Sequence, residues 1–187
     1  SEEIVSQSSW VYLEGYLLAS PAGREAIFRA VELAQKFGVK SALTFSDGFI
    51  VDAFGSTIEE LTAKVDLVFA NFTEASKFTG AADEAEVIRR MKKSVKQGVV
   101  TLGADGAEVW YAGTSDRLPG FKASAIDLTG AGDMFAGGFL FGITHGLTSR
   151  DSAVLACFLA SKVVSQLGPR LNENPRKLAL DAGLLSG

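Results

Sequence analysis

Hydrophobic and polar residues along this chain follow two periods, which alternate from one segment to the next. Short apolar runs are typical of buried strands, and longer stretches with apolar residues three or four positions apart are typical of helices. Short runs predict strands at 11–18, 40–45, 67–70, 99–102, 107–112 and 118–121. Longer periodic stretches predict helices at 21–37, 50–64, 73–78, 82–96, 131–144, 150–166 and 174–180. This alternation predicts a three-layer α/β/α fold with a mostly parallel sheet.

Proline, glycine and turn residues indicate where several of the predicted helices begin, end or bend and where strands turn. Pro21 suits the first turn of a helix, and Gly38 is typical of the position where a helix stops. Gly55 predicts a break within the helix at 50–64. The turn Ala104-Asp105-Gly106 lies between two apolar runs, so we expect the segment 99–112 to form a hairpin.

Composition narrows the class of protein. The 187 residues suffice for a hydrophobic core, and we expect a single domain over residues 1–187. The content of 47% hydrophobic residues fits a compact α/β protein. The net charge of −4 makes a broad nucleic-acid-binding surface unexpected. The longest apolar run, residues 134–143, is shorter than the ~18 residues of a membrane span. The acidic start lacks a signal-peptide pattern, so we expect a cytoplasmic location and no membrane partner.

Two reactive residue types occur once each in the sequence. Cys157 has no partner for an internal disulfide, and the apolar run at 153–160 around it predicts a buried thiol. His145 precedes Gly146 at a predicted helix end, so we expect it to cap the helix rather than to bind a metal. The sequence contains no zinc-binding constellation.

The segment Asp127-Leu128-Thr129-Gly130-Ala131-Gly132-Asp133 carries the strongest chemical signal. Small residues stand where a helical pattern begins, and free backbone N–H groups at a helix start attract anions. An aspartate beside such a pocket is placed to accept a proton from a hydroxyl. The same residues also fit a plain turn followed by an aspartate that complements the helix dipole. Gly137 and Gly138 lie further along this helix, where glycine is costly, and they indicate a close approach to a neighbouring element.

Four motifs together resemble the pfkB-type sugar and nucleoside kinases of the ribokinase and adenosine kinase superfamily. Residues 127–139 resemble the C-terminal signature of that family, and residues 71–74 (NFTE) resemble its N-x-x-E motif. Residues 101–106 (TLGADG) resemble its nucleotide loop, and residues 12–16 (YLEGY) resemble a central strand. Leu128 departs from the residues usual at its position, but it removes no group on which the mechanism depends.

The resemblance implies roles for the residues at 127–133. Asp133 would be the base that activates the acceptor hydroxyl, and the backbone N–H groups of Gly130, Ala131 and Gly132 would hold the transferring phosphoryl group. Asp127 and Thr129 would shape a site for a monovalent cation such as K+. Carbonyl groups near Val163, Gln166 and Gly168 would complete that cation site.

The resemblance assigns the other motifs to the nucleotide and its metal. Asn71 would contact the nucleotide phosphates, and Glu74 would act on Mg2+ through water. Taken alone, Asn71 and Glu74 also fit a helix capping box. Thr101, Gly103 and Gly106 would lie against the phosphates and ribose of ATP, whereas an ordinary glycine-containing hairpin turn is the alternative.

As a whole, the resemblance implies ATP- and Mg2+-dependent phosphoryl transfer to a hydroxyl of a sugar or nucleoside. It covers the C-terminal part of a family kinase, so a ribokinase-like fold without the N-terminal strands and lid is expected. We therefore expect a homodimer or packing against a missing N-terminal part, because a sheet cut there would expose an apolar edge. The alternative is a non-catalytic nucleotide-binding or scaffold subunit derived from this kinase fold.

Overall fold

The structure, a computed structural model, describes residues 1–186 as alternating helices and strands. The helices of this part are α1 (Glu2–Ser6), α2 (Pro21–Phe37), α3 (Gly48–Thr62), α4 (Phe72–Thr79), α5 (Glu84–Ser94), α6 (Ala131–Thr144), α7 (Ser149–Val163) and α8 (Pro175–Asp181). The strands are β1 (Trp10–Glu14), β2 (Lys40–Thr44), β3 (Leu67–Asn71), β4 (Gly98–Thr101), β5 (Ala107–Tyr111) and β6 (Thr114–Leu118). Short 3₁₀ helices occupy Gly15–Ala19 and Gly103–Asp105. None of the helices within residues 1–186 combines the length and the apolar character needed to cross a membrane.

The strands form a six-stranded sheet in the order β1-β2-β3-β4-β5-β6. β1 runs parallel to β2, with Glu14 opposite Thr44, and β2 runs parallel to β3, with Thr44 opposite Phe69. β5 and β6 are antiparallel, with Tyr111 opposite Thr114. The predicted three-layer α/β/α class with a mostly parallel sheet is confirmed.

The chain divides into two compact units, Ser1–Val100 and Thr101–Gly187. In the first unit α2 packs on β1 and β2, and α4 packs on β3. In the second unit α6 packs on α7, which in turn packs on β5 and β6. A single domain over the whole chain stays a prediction.

The clearest local signals in the sequence placed helix ends correctly. Pro21 begins α2, where the side chain of Ser20 accepts a hydrogen bond from the N–H of Gly23 at 3.1 Å. Gly38 ends α2 with a φ of 67°, a left-handed conformation that glycine adopts without steric cost. The predicted bounds of α6 are confirmed at both ends. The break predicted near Gly55 is present as a kink at Phe54.

Two predictions about strands were wrong. The strand expected at 11–18 ends at Glu14, because a 3₁₀ turn follows it. In this turn, Gly15 lies against the backbone at the end of β2. A Cβ at Gly15 would come within 2.5 Å of the carbonyl oxygen of Phe45. The strand expected at 118–121 is instead β6, which is polar and ends at Leu118. It pairs with β5 through a two-residue turn at Ala112 and Gly113, both at positive φ, as tight hairpins require. The short helix α1 was not predicted.

Helices α6 and α7 approach each other closely through small residues. A Cβ at Gly142 would lie 2.7 Å from the Cβ of Ser152, and a Cβ at Gly138 would lie 3.1 Å from the Cα of Ala156. The close approach inferred from Gly138 is therefore present, and the neighbour is a helix. A Cβ at Gly137 would meet no atom within 4 Å, so the same inference was wrong for that glycine.

The single cysteine and histidine lie where the sequence predicted. Cys157 is buried within α7, and burial raises the pKa of its thiol to about 11. His145 caps α6, with its Nδ1 2.8 Å from the carbonyl oxygen of Phe141 and its ring stacked on that of Phe141.

The helix contact predicts opposite effects of alanine at two glycines of α6. Gly142→Ala should lower the free energy of unfolding by about 1–3 kcal/mol, because the added methyl group overpacks the contact with Ser152. Gly137→Ala is the matched control and should raise it by about 0.5–1 kcal/mol, since alanine is the better helix former and the space is open. Urea unfolding of the two variants checks this, and equal stabilities would contradict the packing described.

Candidate active site

Polar side chains gather in the first unit at the carboxyl ends of three neighbouring parallel strands. Glu14 ends β1, Ser46 and Asp47 follow β2, and Asn71 and Glu74 stand at the end of β3 and the start of α4. We call these five residues the carboxyl-edge cluster. Glu14 lies opposite Thr44 at the end of β2, whereas β3 continues two residues beyond Phe69, the partner of Thr44, so the three strands end close to one another at the same edge. In open α/β sheets, ligands bind in the crevice outside this edge.

Asn71 and Glu74 form the capping box that the sequence left as an alternative. The N–H of Glu74 donates to Asn71 Oδ1 at 2.9 Å, and the N–H of Asn71 donates to Glu74 Oε2 at 3.0 Å. Asn71 Nδ2 also donates to Glu74 Oε1 at 2.6 Å. These bonds fix both side chains at the end of β3. Their roles toward phosphates and Mg2+ stay predictions.

Glu74 is a buried carboxyl group whose ionisation is disfavoured. Only 4% of the residue is exposed, and this burial raises its pKa to about 7. The hydrogen bond from the backbone of Asn71 lowers the pKa, and the negative charge of Asp47 raises it further. The interaction with Asp47 shows that the ends of β2 and β3 are electrostatically coupled.

The loop after β2 contains a contact that the sequence did not reveal. Ser46 Oγ donates to Glu14 Oε2 at 3.0 Å and accepts a bond from the N–H of Tyr16 at 3.4 Å. From the sequence, Ser46 is only the residue that follows the strand predicted at 40–45. The feature that distinguishes Ser46 is its backbone conformation, and a sequence pattern does not show backbone conformations.

In the second unit, the start of α6 presents backbone N–H groups without partners. Gly130 precedes the helix with a φ of 80°, and a Cβ there would lie 2.7 Å from Pro169. Within residues 1–186, the N–H groups of Gly130, Gly132 and Asp133 have no acceptor. The N–H of Ala131 differs, because it donates to the carbonyl oxygen of Leu128 at 3.2 Å.

The Asp133 side chain is exposed and does not cap its own helix. No side chain caps the start of α6, and the Asp133 carboxylate has no hydrogen-bond partner in the described part of the chain. Asp133 therefore makes no capping hydrogen bond, although its place in the first turn also fits the alternative in which it complements the helix dipole. The structure places this carboxylate in the first turn, beside the free N–H groups of Gly132 and of its own backbone.

Asp127 ties the loop before α6 to the loop after α7. Its Oδ1 accepts the N–H of Thr129 at 2.9 Å, and its Oδ2 accepts the N–H of Gly168 at 2.9 Å. Hydrogen bonds from the Thr129 side chain, the Thr129 backbone and the Gly168 backbone lower its pKa. The N–H of Ile126 donates to the carbonyl oxygen of Val164 at 2.7 Å, which adds a second tie. Asp127 thus bonds the backbone of both Thr129 and Gly168, each of its carboxylate oxygens accepts an amide, and the cation site stays a prediction.

The nucleotide-loop residues differ in how much space surrounds them. A Cβ at Gly103 would meet no atom within 4 Å, and Thr101 is half-buried. Gly106 is buried with a φ of 91°, and a Cβ there would overlap the backbone at Leu118 and Pro119. The N–H of Leu102 donates to the carbonyl oxygen of Gly106 at 2.8 Å, which closes the turn. Gly106 therefore shapes the loop from within, and Gly103 is the glycine with open space beside it.

Comparisons with known proteins agree on one family. The model described as pfkB family carbohydrate kinase matches residues 1–176. Adenosine kinase of Schizophyllum commune is 31% identical, over 89% of this chain and 54% of that protein. A probable sugar kinase protein of Rhizobium etli CFN 42 superimposes with a TM-score of 0.94 at 34% identity, over 99% of this chain and 57% of that one.

A more distant structure bears on the fold alone. It is an E. coli protein assigned as a ribokinase II and solved with ATP and Mg2+, with a TM-score of 0.85 at 18% identity. The match covers 98% of this chain and 61% of the E. coli chain. The chain spans about half the length of the curated relatives it matches.

The raised pKa of Glu74 predicts how stability depends on pH. A carboxyl group with a raised pKa stabilises the fold when protonated, and that contribution is lost as the pH rises through about 7. Without Mg2+, the stability of the wild type should therefore fall by roughly 2 kcal/mol relative to Glu74→Gln between pH 5 and 8. Urea unfolding at several pH values measures this difference.

The exposed residue Glu59 of α3 supplies the control for this experiment, since Glu59→Gln should follow the pH dependence of the wild type. If Glu74→Gln and the wild type show the same pH dependence, Glu74 does not titrate near neutrality and the description of its burial is wrong.

Proposed function

This chain belongs to the pfkB family of carbohydrate kinases, and from that premise we propose an ATP- and Mg2+-dependent kinase acting on a sugar or nucleoside hydroxyl. The observation that carries the proposal is the start of α6, where free N–H groups stand beside an unpaired carboxylate. Phosphoryl transfer requires an anion cradle and a group that receives the proton of the acceptor, and the start of α6 offers both.

The anion cradle consists of backbone groups. The free N–H groups of Gly130, Gly132 and Asp133 carry the partial positive charge of a helix start. We propose that they bind the oxygens of the transferring phosphoryl group. The sequence assigned Ala131 the same role, but its N–H already donates to Leu128, so it contributes by shaping the turn.

Asp133 receives the proton in this mechanism. The acceptor oxygen forms a bond to the γ-phosphorus while the bond from that phosphorus to the bridging oxygen breaks and ADP leaves. The hydroxyl proton passes to the Asp133 carboxylate. An exposed aspartate is a weak base, so its contribution lies in orienting the hydroxyl and accepting the proton late in the step.

We propose that Asn71 and Glu74 serve the nucleotide and its metal. Within residues 1–186 no group of three or more His, Cys, Asp or Glu side chains is arranged to hold a metal. Mg2+ commonly keeps several waters and needs only one or two carboxylates, which fits the single buried Glu74 acting through water. The bound Mg2+ would neutralise phosphate charge.

The remaining assignments concern ATP and a monovalent cation. We propose that Thr101 and Gly103 contact the nucleotide, with Gly106 holding the loop in shape. For K+, the amides already bound to Asp127 leave Thr129 and backbone carbonyls as the groups that would hold the ion.

Two exposed aromatic residues support a nucleoside as the acceptor. Tyr16 follows β1 and is 57% exposed, and Phe49 follows β2 and is 66% exposed. Both stand beside the carboxyl-edge cluster along the chain. Aromatic side chains offer stacking surfaces for a nucleobase, whereas Glu14 offers a carboxylate for hydroxyl groups. The similarity to the adenosine kinase of Schizophyllum commune points the same way.

The proposal predicts that Asp133→Asn lowers kcat by about 10²- to 10⁴-fold while the affinity for ATP is kept, because only proton transfer is lost. The native protein is assayed for ADP release with a panel of nucleosides and sugars, and ATP binding is measured by calorimetry. Asp151→Asn is the matched control, since Asp151 holds the same first-turn position in α7 and bonds Thr148 there.

Four outcomes separate the proposals. Turnover with nucleosides in preference to sugars supports the acceptor assignment, and the reverse preference replaces it with a sugar. ATP binding without turnover of any acceptor by the wild type would favour the scaffold subunit. Full activity of Asp133→Asn would refute the role of Asp133.

A further inference from the structure

We propose that Ser46 is a positioning residue for the phosphate acceptor, which holds Glu14 and the backbone of Tyr16 in the orientation that binds the acceptor. This inference rests on the proposed kinase function and adds a residue to the acceptor side of the site. Its basis lies in the first unit alone, in the contact between the loops that follow β1 and β2.

The Ser46 hydroxyl uses both of its hydrogen-bonding capacities between the two loops. It donates to Glu14 Oε2 at 3.0 Å and accepts the N–H of Tyr16 at 3.4 Å. One hydroxyl therefore orients a carboxylate and restrains the backbone that carries an exposed aromatic ring. A carboxylate has two oxygens that each accept more than one hydrogen bond, so the bond from Ser46 is compatible with a role of Glu14 toward acceptor hydroxyl groups.

The backbone of Ser46 is strained, because it lies at the centre of a tight turn in which the N–H of Asp47 donates to the carbonyl oxygen of Phe45 at 2.9 Å. Its φ is 70°, a left-handed conformation that residues with a Cβ rarely adopt. The other non-glycine residue at positive φ within residues 1–186 is Ala112, which lies in a hairpin turn where such a φ is required. Ser46 lies in no hairpin. Glycine would suit its conformation better, so the serine contributes a hydroxyl at a steric cost.

Strained residues gather at functional sites, and the position of Ser46 fits that tendency. It follows a parallel strand at the edge where α/β sheets bind ligands, next to Asp47, whose charge acts on Glu74. Glycine could make the turn without strain, but it could not make the hydrogen bonds to Glu14 and Tyr16. The hydroxyl, rather than the turn, is what the position supplies.

Two substitutions of Ser46 separate positioning from stability. Ser46→Gly removes the hydroxyl and relieves the strain, whereas Ser46→Ala removes the hydroxyl and keeps the strain. If Ser46 positions the groups that bind the acceptor, both variants should raise the KM of the acceptor by about 10-fold, because a hydrogen bond to a charged group is lost. The KM of ATP should be unchanged. Ser46→Gly should nevertheless unfold at a higher temperature than Ser46→Ala.

Ala112→Gly is the matched control, because it relieves a positive φ without removing a hydrogen-bonding side chain. It should leave the KM of the acceptor unchanged. A further variant, Glu14→Ala, removes the acceptor of the Ser46 hydrogen bond and tests whether Ser46 acts through Glu14. Adding Ser46→Gly to Glu14→Ala should then raise the KM much less than Ser46→Gly does in the wild type.

The outcomes distinguish this inference from the proposed function. A wild type that turns over acceptors while Ser46→Gly keeps its acceptor KM would overturn the role of Ser46 alone. An acceptor KM that follows thermal stability, with Ser46→Ala affected and Ser46→Gly normal, would make Ser46 a structural residue and overturn it as well. A wild type that turns over no acceptor would overturn the kinase proposal and this inference together.

Discussion

The chemistry proposed for this protein depends on the N–H groups at the start of α6 being left without partners. A helix start has unsatisfied N–H groups by its geometry, and most helices cover them with a side chain. Here Gly130 precedes the helix and has no side chain to offer, and Asp133 does not turn back to cap it. A phosphate can therefore approach, because glycine leaves space and the helix dipole favours negative charge.

The surrounding loops hold this helix start in place. Asp127 accepts amides from both its own loop and the loop after α7, and Ile126 donates to Val164 nearby. Gly130 lies against Pro169, which leaves no room for a larger residue. Farther along α6, the contact of Gly142 with Ser152 brings the helix close to α7. A cradle made of backbone atoms needs this rigidity, since no side chain can rotate to correct a misplaced amide.

The sequence predicted those features whose cause is local. Pro21 and Gly38 set the ends of α2 directly, and the change from polar to apolar residues near position 130 set the start of α6. The polar strand β6 has no hydrophobic pattern, so its pairing with β5 could not be recognised. The 3₁₀ turn after β1 results from the close approach of Gly15 to Phe45, a contact distant in sequence. The tie between Ser46 and Glu14 likewise spans two strands and was missed.

The candidate site was predicted from its motifs, although motifs alone left each residue with a structural alternative. For Asn71 and Glu74 the capping box is present, and a capping role does not preclude a second role toward a ligand. For Gly106 the structure favours a role within the loop, and for Asp133 it gives no capping bond. These distinctions depend on which hydrogen bonds are made, and such bonds follow from tertiary packing rather than from residue type.

The central claim is tested most directly by a crystal structure of the native protein with a non-hydrolysable ATP analogue and Mg2+. The account predicts terminal phosphate oxygens at about 3 Å from the backbone nitrogens of Gly132 and Asp133, with the Asp133 carboxylate facing the acceptor side of that phosphate. A terminal phosphate bound away from the start of α6, with Asp133 directed into solvent, would contradict it.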